Sequence, residues 1–133
     1  MKAAVCRDYK KPLTIEEVFL CDPKINEIEV TLKASAICHS DISSMDGIWK
    51  DKMPAIYGHE ASGIITKIGS NITTFKVGEK VLVTLIRSCK KCSACTDSDP
   101  TSCSFDWDDD YTPLFNDDGE KFVRGIKVGA FAE

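Results

Sequence analysis

The run Cys89-Lys-Lys-Cys92-Ser-Ala-Cys95-Thr-Asp-Ser-Asp-Pro-Thr-Ser-Cys103 limits what this chain can fold into more than any other stretch. Its four thiols are separated by gaps of two, two and seven residues. Two-residue gaps let consecutive sulfurs turn towards one centre, and four thiolates fill a tetrahedral zinc site with no open position. A closed site of that kind stabilises a fold and leaves no room for a substrate. A disulfide framework fits worse, because the cysteine total of seven is odd and no secretory signal precedes the run. An iron–sulfur cluster stands as a competing reading, although the bacterial ferredoxin run places its fourth cysteine three residues on, followed by proline. Here that gap is seven and Ser104 follows. Inert buried thiols are the plainest alternative, but a segment that mixes three cysteines with Lys90 and Lys91 does not have a core composition. The spacing therefore predicts a structural zinc lobe over residues 89–103, held by Cys89, Cys92, Cys95 and Cys103.

A lobe that does no chemistry directs attention to the rest of the chain. With 133 residues, 43% of them apolar, the chain is expected to form one domain, 1–133, with a real core. A formal net charge of −4 gives nucleic-acid binding no electrostatic support. No apolar run reaches the length of a membrane span, and the N-terminal Met1-Lys-Ala-Ala-Val-Cys-Arg-Asp lacks a signal peptide's long apolar segment. The expected location is the cytoplasm, where thiols stay reduced and can hold metal.

The first forty residues read as strand. Lys2 to Cys6 is a short apolar run, and Leu13 to Leu20 alternates imperfectly. Ile28, Val30, Leu32 and Ala34 alternate with Glu29, Thr31, Lys33 and Ser35, the pattern of a half-buried strand. Ile64, Ile65 and Ile68 before Gly69, and Val81, Leu82, Val83 and Leu85 after Val77-Gly78, give two more. Short strands parted by turn residues suggest a mainly β small barrel or sandwich. Cys6 and Cys21 fit as small buried apolar residues. After the lobe, Asp106, Asp108, Asp109, Asp110, Asp117 and Asp118 invite a calcium-loop reading. That reading fails, because Tyr111 stands at the required glycine and Asp117 at the terminal glutamate. A solvated hairpin turning at Asp118-Gly119, with Phe122 and Val123 returning as strand, is expected instead.

Two short stretches hold the remaining chemistry. Ala36-Ile-Cys38-His39-Ser40-Asp41 puts a thiol, an imidazole, a hydroxyl and a carboxylate at a strand-to-helix junction, with Ser40 or Asp41 as helix cap and Gly47 as the stop. Tyr57-Gly58-His59-Glu60-Ala61-Ser62-Gly63 follows, and His39 and His59 are the two histidines of the chain. Taken singly, a cysteine or a histidine is more often structural than a ligand. Gly58 and Gly63 flank the pair where a side chain would crowd the backbone or a cofactor, and Pro54 is a candidate for a cis bond.

In order and spacing, the Cys-His-Ser-Asp run at 38–41, the Gly-His-Glu at 58–60, Val77-Gly78-Glu79-Lys80-Val81 and the four-cysteine lobe resemble the N-terminal catalytic domain of zinc-dependent medium-chain alcohol dehydrogenases. The resemblance covers nearly the whole chain and implies an α+β, mainly β, GroES-like fold, a partly open barrel with a structural zinc lobe. It implies a catalytic zinc held by Cys38 and His59, with Glu60 within reach as a further ligand. A catalytic zinc keeps an open position and lowers the pKa of an alcohol there. By the same resemblance Asp41 and Glu60 are carboxylates behind the ligands, Ser40 takes the alcohol proton, and His39 lies beside the pyrophosphate of NAD(P). Ser43 stands where the family's outer relay histidine would be, which leaves the proton's exit unassigned. Trp49 and Leu85 match positions lining the substrate cleft and imply an apolar alcohol or aldehyde. The glutathione-dependent formaldehyde dehydrogenase branch carries an acidic residue where Trp49 stands, which argues against a glutathione adduct.

No Gly-x-Gly-x-x-Gly follows a strand, so a Rossmann domain is absent, and NAD(H) is expected only in full-length members. The family's second catalytic cysteine would lie past Glu133, so the chain is expected to be a shortened member. Full-length relatives are homo-oligomers. A stand-alone zinc-binding module without turnover is the alternative, and neither nucleic acid nor membrane is an expected partner.

Overall fold

Alternating apolar residues and β-branched runs dominate the structure, a computed structural model that describes residues 1–104 and 112–133. Its strands are β1 (Lys2–Cys6), β2 (Thr14–Glu17), β3 (Phe19–Leu20), β4 (Ile28–Ala36), β5 (Ala55–Ile56), β6 (Glu60–Ile68), β7 (Lys80–Thr84), β8 (Leu114–Phe115) and β9 (Lys121–Arg124). Helix α1 (His39–Met45) joins β4 to β5, and α2 (Ser93–Thr96) lies in the cysteine lobe. One sheet runs β2-β1-β5-β9-β8-β3 and a second runs β4-β6-β7, and the two do not close on each other. This is the mainly β, GroES-like architecture expected, without a Rossmann unit among the described residues. No helix there is long and apolar enough to cross a membrane.

The core lies under the first sheet. Ala3, Val5, Val18, Ile56, Leu114 and Phe122 form one buried cluster, and Cys6, Ala55 and Tyr57 form a second. Cys6 is buried as the sequence suggests, but Cys21 is exposed. The reason is local: Cys21 follows β3 where the chain swings into Asp22-Pro23, and its backbone N–H reaches Pro113 at the long distance of 3.4 Å. The stretch 13–20 departs from a single strand in a similar way. Val18 breaks it by turning fully inward, with its N–H donating to the Met1 carbonyl at 2.8 Å. β2 then pairs with β1 while β3 pairs with β8. Ile15 and Phe19 are left exposed on the two opposite edge strands of the sheet.

Helix α1 starts earlier than either predicted cap, two residues before Ser40 and three before Asp41. Its N-cap is Cys38, and the Asp41 carboxylate at the third helical position accepts the Cys38 N–H at 3.0 Å. This is the carboxylate half of a capping box. The helix stops as expected near Gly47. Gly47 N–H donates to the Ser44 carbonyl and Ile48 N–H to the Ser43 carbonyl, both at 2.9 Å. That reciprocal pair needs a left-handed residue, and Gly47 has φ +76°.

The hairpin at 114–124 is present, with Gly119 N–H donating to the Asn116 carbonyl at 3.0 Å. Asp106, Asp108, Asp109, Asp110 and Tyr111 lie outside the described residues. The Met53–Pro54 bond is cis. Between the two sheets lies an open cavity of about 570 Å³ whose walls include Val30, Leu32, Val81, Val83 and Leu114. None of the predicted site residues lines it.

Gly58 is fixed by space as well as by backbone. It has φ +90°, and a Cβ there would lie 2.5 Å from the Phe131 ring. A Cβ at Gly63 would meet the Thr31 carbonyl at 2.4 Å. Gly58→Ala is expected to destabilise the domain by about 2–4 kcal/mol, combining a left-handed backbone cost with overpacking. The check is a lower urea midpoint at unchanged slope; an unshifted midpoint contradicts the packing of Phe131 over Gly58.

Candidate metal centres

Sheet register brings the two chemical stretches together. β4 and β6 are antiparallel, and Ala36 pairs with Glu60. Cys38 lies two residues beyond Ala36 and His59 one residue before Glu60, so both reach the same end of the sheet. β6 also pairs with β7, with Glu60 opposite Thr84, which brings Leu85 to that end as well. The ligand atoms of Cys38, His59 and Glu60 all lie within 4.8 Å of one another.

Asp41 organises this end. It is fully buried, and each of its oxygens is used. Oδ2 accepts the Cys38 N–H at 3.0 Å, and Oδ1 accepts the Gly58 N–H at 2.9 Å and lies 3.0 Å from His59 Nδ1. The carboxylate thus ties both candidate ligand segments and holds a proton on Nδ1. Nε2 is left with its lone pair facing outward, and the Ser40 hydroxyl donates to it at 3.2 Å. His59 is 3% exposed, whereas Glu60 is exposed. Burial opposes charge on His59, but the Asp41 hydrogen bond and charge, then the Cys38 thiol, outweigh it and raise the imidazole above its ordinary value. The Ser40 hydroxyl, then the Ser40 N–H, lower the Cys38 thiol, with burial and the Glu60 charge working against them. A thiol biased to thiolate beside an imidazole of fixed tautomer is a donor set suited to a transition metal such as zinc.

The lobe follows directly on β7. A tetrahedral zinc with Zn–S bonds of about 2.3 Å places its sulfurs roughly 3.8 Å apart. Cys89 Sγ and Cys95 Sγ are 3.9 Å apart, Cys92 Sγ and Cys103 Sγ 4.0 Å, and all four fall within 4.8 Å. Four free thiols so arranged fit one structural zinc. The N–H groups of Cys95 and Ser104 pull the Cys92 thiol down to about 6, against burial. Cys89 moves the other way: the N–H groups of Lys91 and Cys92 favour its thiolate, but burial and hydrogen bonds with the Cys92 and Cys103 thiols outweigh them. Crowded thiols resist joint ionisation, and a cation at their centre relieves that repulsion.

Of the remaining predicted residues, His39 and Ser43 share α1 with Asp41, and Leu85 follows β7 at the same end of the sheet. His39 is the exposed first residue of α1, and Ser43 is buried in the same helix. Trp49 is 57% and Leu85 43% exposed. Sequence reasoning missed the Gly58 N–H as a support of Asp41, and it missed Cys38 as the cap. The three-residue step from Cys38 to Asp41 is capping-box spacing and carried the second signal.

The model of the alcohol dehydrogenase GroES-like domain matches residues 24–133. The fold is similar to that of an alcohol dehydrogenase zinc-binding domain protein from Burkholderia ambifaria, with TM-score 0.89, 27% identity, and coverage of 98% of this chain and 38% of that one. It is similar to benzyl alcohol dehydrogenase from Acinetobacter calcoaceticus, with TM-score 0.81, 27% identity, and coverage of 98% and 37%. An NAD-dependent alcohol dehydrogenase matches with TM-score 0.72, 25% identity, and coverage of 93% and 35%. The chain therefore spans under two fifths of the length of each of these proteins.

Proposed function

Because the chain belongs to the alcohol dehydrogenase GroES-like domain family, we propose that it forms the metal- and substrate-holding part of a zinc-dependent, NAD(P)-linked alcohol dehydrogenase. The reaction is the interconversion of an alcohol with its aldehyde or ketone. The observation that carries this reading is the convergence of Cys38, His59 and Glu60 beside a buried Asp41 and the Ser40 hydroxyl. Cys38, His59 and Glu60 hold the catalytic zinc, and Cys89, Cys92, Cys95 and Cys103 hold a structural one. When bound, the catalytic zinc supplies Lewis-acid polarisation of a substrate oxygen.

The chain's own groups do the rest. Asp41 keeps the proton on His59 Nδ1, so that Nε2 stays a donor to metal. The Ser40 hydroxyl both donates and accepts, so it can take the alcohol proton and pass it on. Ser43, on the next turn of α1, stands in the relay's outer position and carries no base of its own. Trp49 and Leu85 form apolar walls that favour an apolar alcohol or aldehyde. His39 lies beside the cofactor's pyrophosphate. The setting is cytoplasmic, and the complete protein self-associates.

A stand-alone zinc module is the second reading, favoured by the four-thiol lobe, which can close on a metal with no open position. Hydride transfer needs the nicotinamide within about 3–3.5 Å of the reacting carbon, and nothing described here positions it. The 133-residue chain alone is therefore expected to form no NADH from an alcohol panel, even when zinc-replete. Joined to the nucleotide-binding portion of a relative, it is expected to turn over, with activity lost in Cys38→Ser. A folded, zinc-loaded fusion without turnover would leave only the module. Turnover by the chain alone would show a complete enzyme.

A further inference from the structure

The lobe thiols differ in what supports them. Cys89 Sγ accepts the Cys92 N–H at 3.3 Å, and the Lys91 N–H also favours its thiolate. Cys92 is supported by the N–H groups of Cys95 and Ser104. Those donors belong to the backbone, so any residue at these positions supplies them. Cys95 is different: the Ser88 hydroxyl donates to its Sγ at 3.3 Å. Ser88 precedes the first lobe cysteine and is half-buried. Its neighbour Arg87 is anchored through Nη2 to the Lys127 carbonyl, which fixes the segment relative to the chain beyond β9.

A zinc ion bound by four thiolates carries a net charge of −2, and each donor to a sulfur disperses part of it. A sulfur that loses its donor holds more of that charge and is the first to be protonated, alkylated or displaced. The hydrogen bond also fixes the rotamer that aims Cys95 Sγ at the centre. We infer that Ser88 is the positioning residue for Cys95, and that metal retention by the lobe depends on its side-chain hydroxyl. This rests on the structural-zinc reading of the lobe and adds to it a residue outside the four ligands.

The test compares Ser88→Ala, Ser88→Val and Ser88→Thr with the parent in the full 133-residue chain. Zinc affinity is measured by competition with a chromophoric chelator. Cobalt-loaded protein reports thiolate ligation through its sulfur-to-metal absorption. Limiting iodoacetamide followed by mass spectrometry reports which cysteine reacts first. Loss of a supporting partner typically weakens a metal site by 10–100-fold. Ser88→Ala and Ser88→Val are expected to lose roughly tenfold in affinity, with altered cobalt absorption and Cys95 alkylated first, while Ser88→Thr stays close to the parent. Should Ser88→Ala fail to fold, the near-isosteric Thr and Val pair decides. Parent-like zinc affinity in Val and Ala overturns the inference, and so does equal loss in Thr and Val, which would assign the effect to packing. A parent lobe that binds no zinc, and that Cys92→Ser leaves unchanged, would instead overturn the lobe reading itself.

Discussion

Cys92→Ser is expected to release the tightly held zinc and to lower the melting temperature of the domain. The lobe has no apolar core of its own: neither α2 nor the 3-10 turn at Pro100–Ser102 contains a buried residue. Its order must come from whatever its four sulfurs hold. Structural zinc contributes apparent binding free energies of about 10–16 kcal/mol in small zinc-folded peptides, and that energy is folding energy. The Cys95 and Ser104 N–H groups bias the Cys92 thiol towards thiolate, and serine there removes one of the four sulfurs. Elemental analysis and calorimetry check this. Parent protein stripped by chelator is expected to melt like the variant. Full metal and a parent-like melt in Cys92→Ser would remove the lobe assignment.

Asp41→Ala is expected to be the most damaging single change outside the lobe. It leaves the N–H groups of Cys38 and Gly58 and the His59 Nδ1 without their acceptor inside the protein. An unpaired buried polar group costs about 1–3 kcal/mol, so a total of roughly 3–5 kcal/mol is expected in urea denaturation. Asp41→Asn keeps the shape but not the charge, so it should retain part of the stability and lose metal at Cys38 and His59. A destabilisation below about 1 kcal/mol for Asp41→Ala would be too small for three lost partners.

The same contact predicts a pH dependence in metal-free protein. His59 is raised in the folded state above the ordinary imidazole value of about 6.5. Its pairing with Asp41 therefore stabilises fully below about pH 6.5 and fades as the pH rises through the higher folded value. Metal binding runs the other way, since the ligand must be neutral. Asp41→Asn should flatten the metal-free profile.

Much of this site was legible in sequence because its chemistry is local. The lobe spacing marks four sulfurs able to reach one centre, and the fold brings Cys89 to Cys95 and Cys92 to Cys103 at 3.9 and 4.0 Å. Alternation in β4 predicted a strand, although Val30 and Leu32 are only half-buried beside exposed Thr31 and Lys33, and Ala34 is exposed. The meeting of Cys38 with His59 was implied by the family resemblance and not by local pattern, because it rests on the register of Ala36 with Glu60, which neither stretch encodes alone. What escaped depends in the same way on pairing between distant segments. Ile15 is exposed on the edge strand β2 while Val18, between β2 and β3, turns inward, and alternation cannot distinguish a covered face from a bare one. Ser88 carries no motif, since only the folded lobe brings its hydroxyl to Cys95.

Zinc content per chain under a graded chelator challenge separates the two centres. Parent protein is predicted to release metal in two classes, a weak one from Cys38 and His59 and a tight one from the four-cysteine lobe. Cys38→Ser should abolish the weak class and keep the tight one, and Cys92→Ser should do the reverse in whatever fraction stays folded. A single class of metal in the parent, or loss of both classes in a folded Cys38→Ser protein, would contradict a closed lobe standing beside an open site.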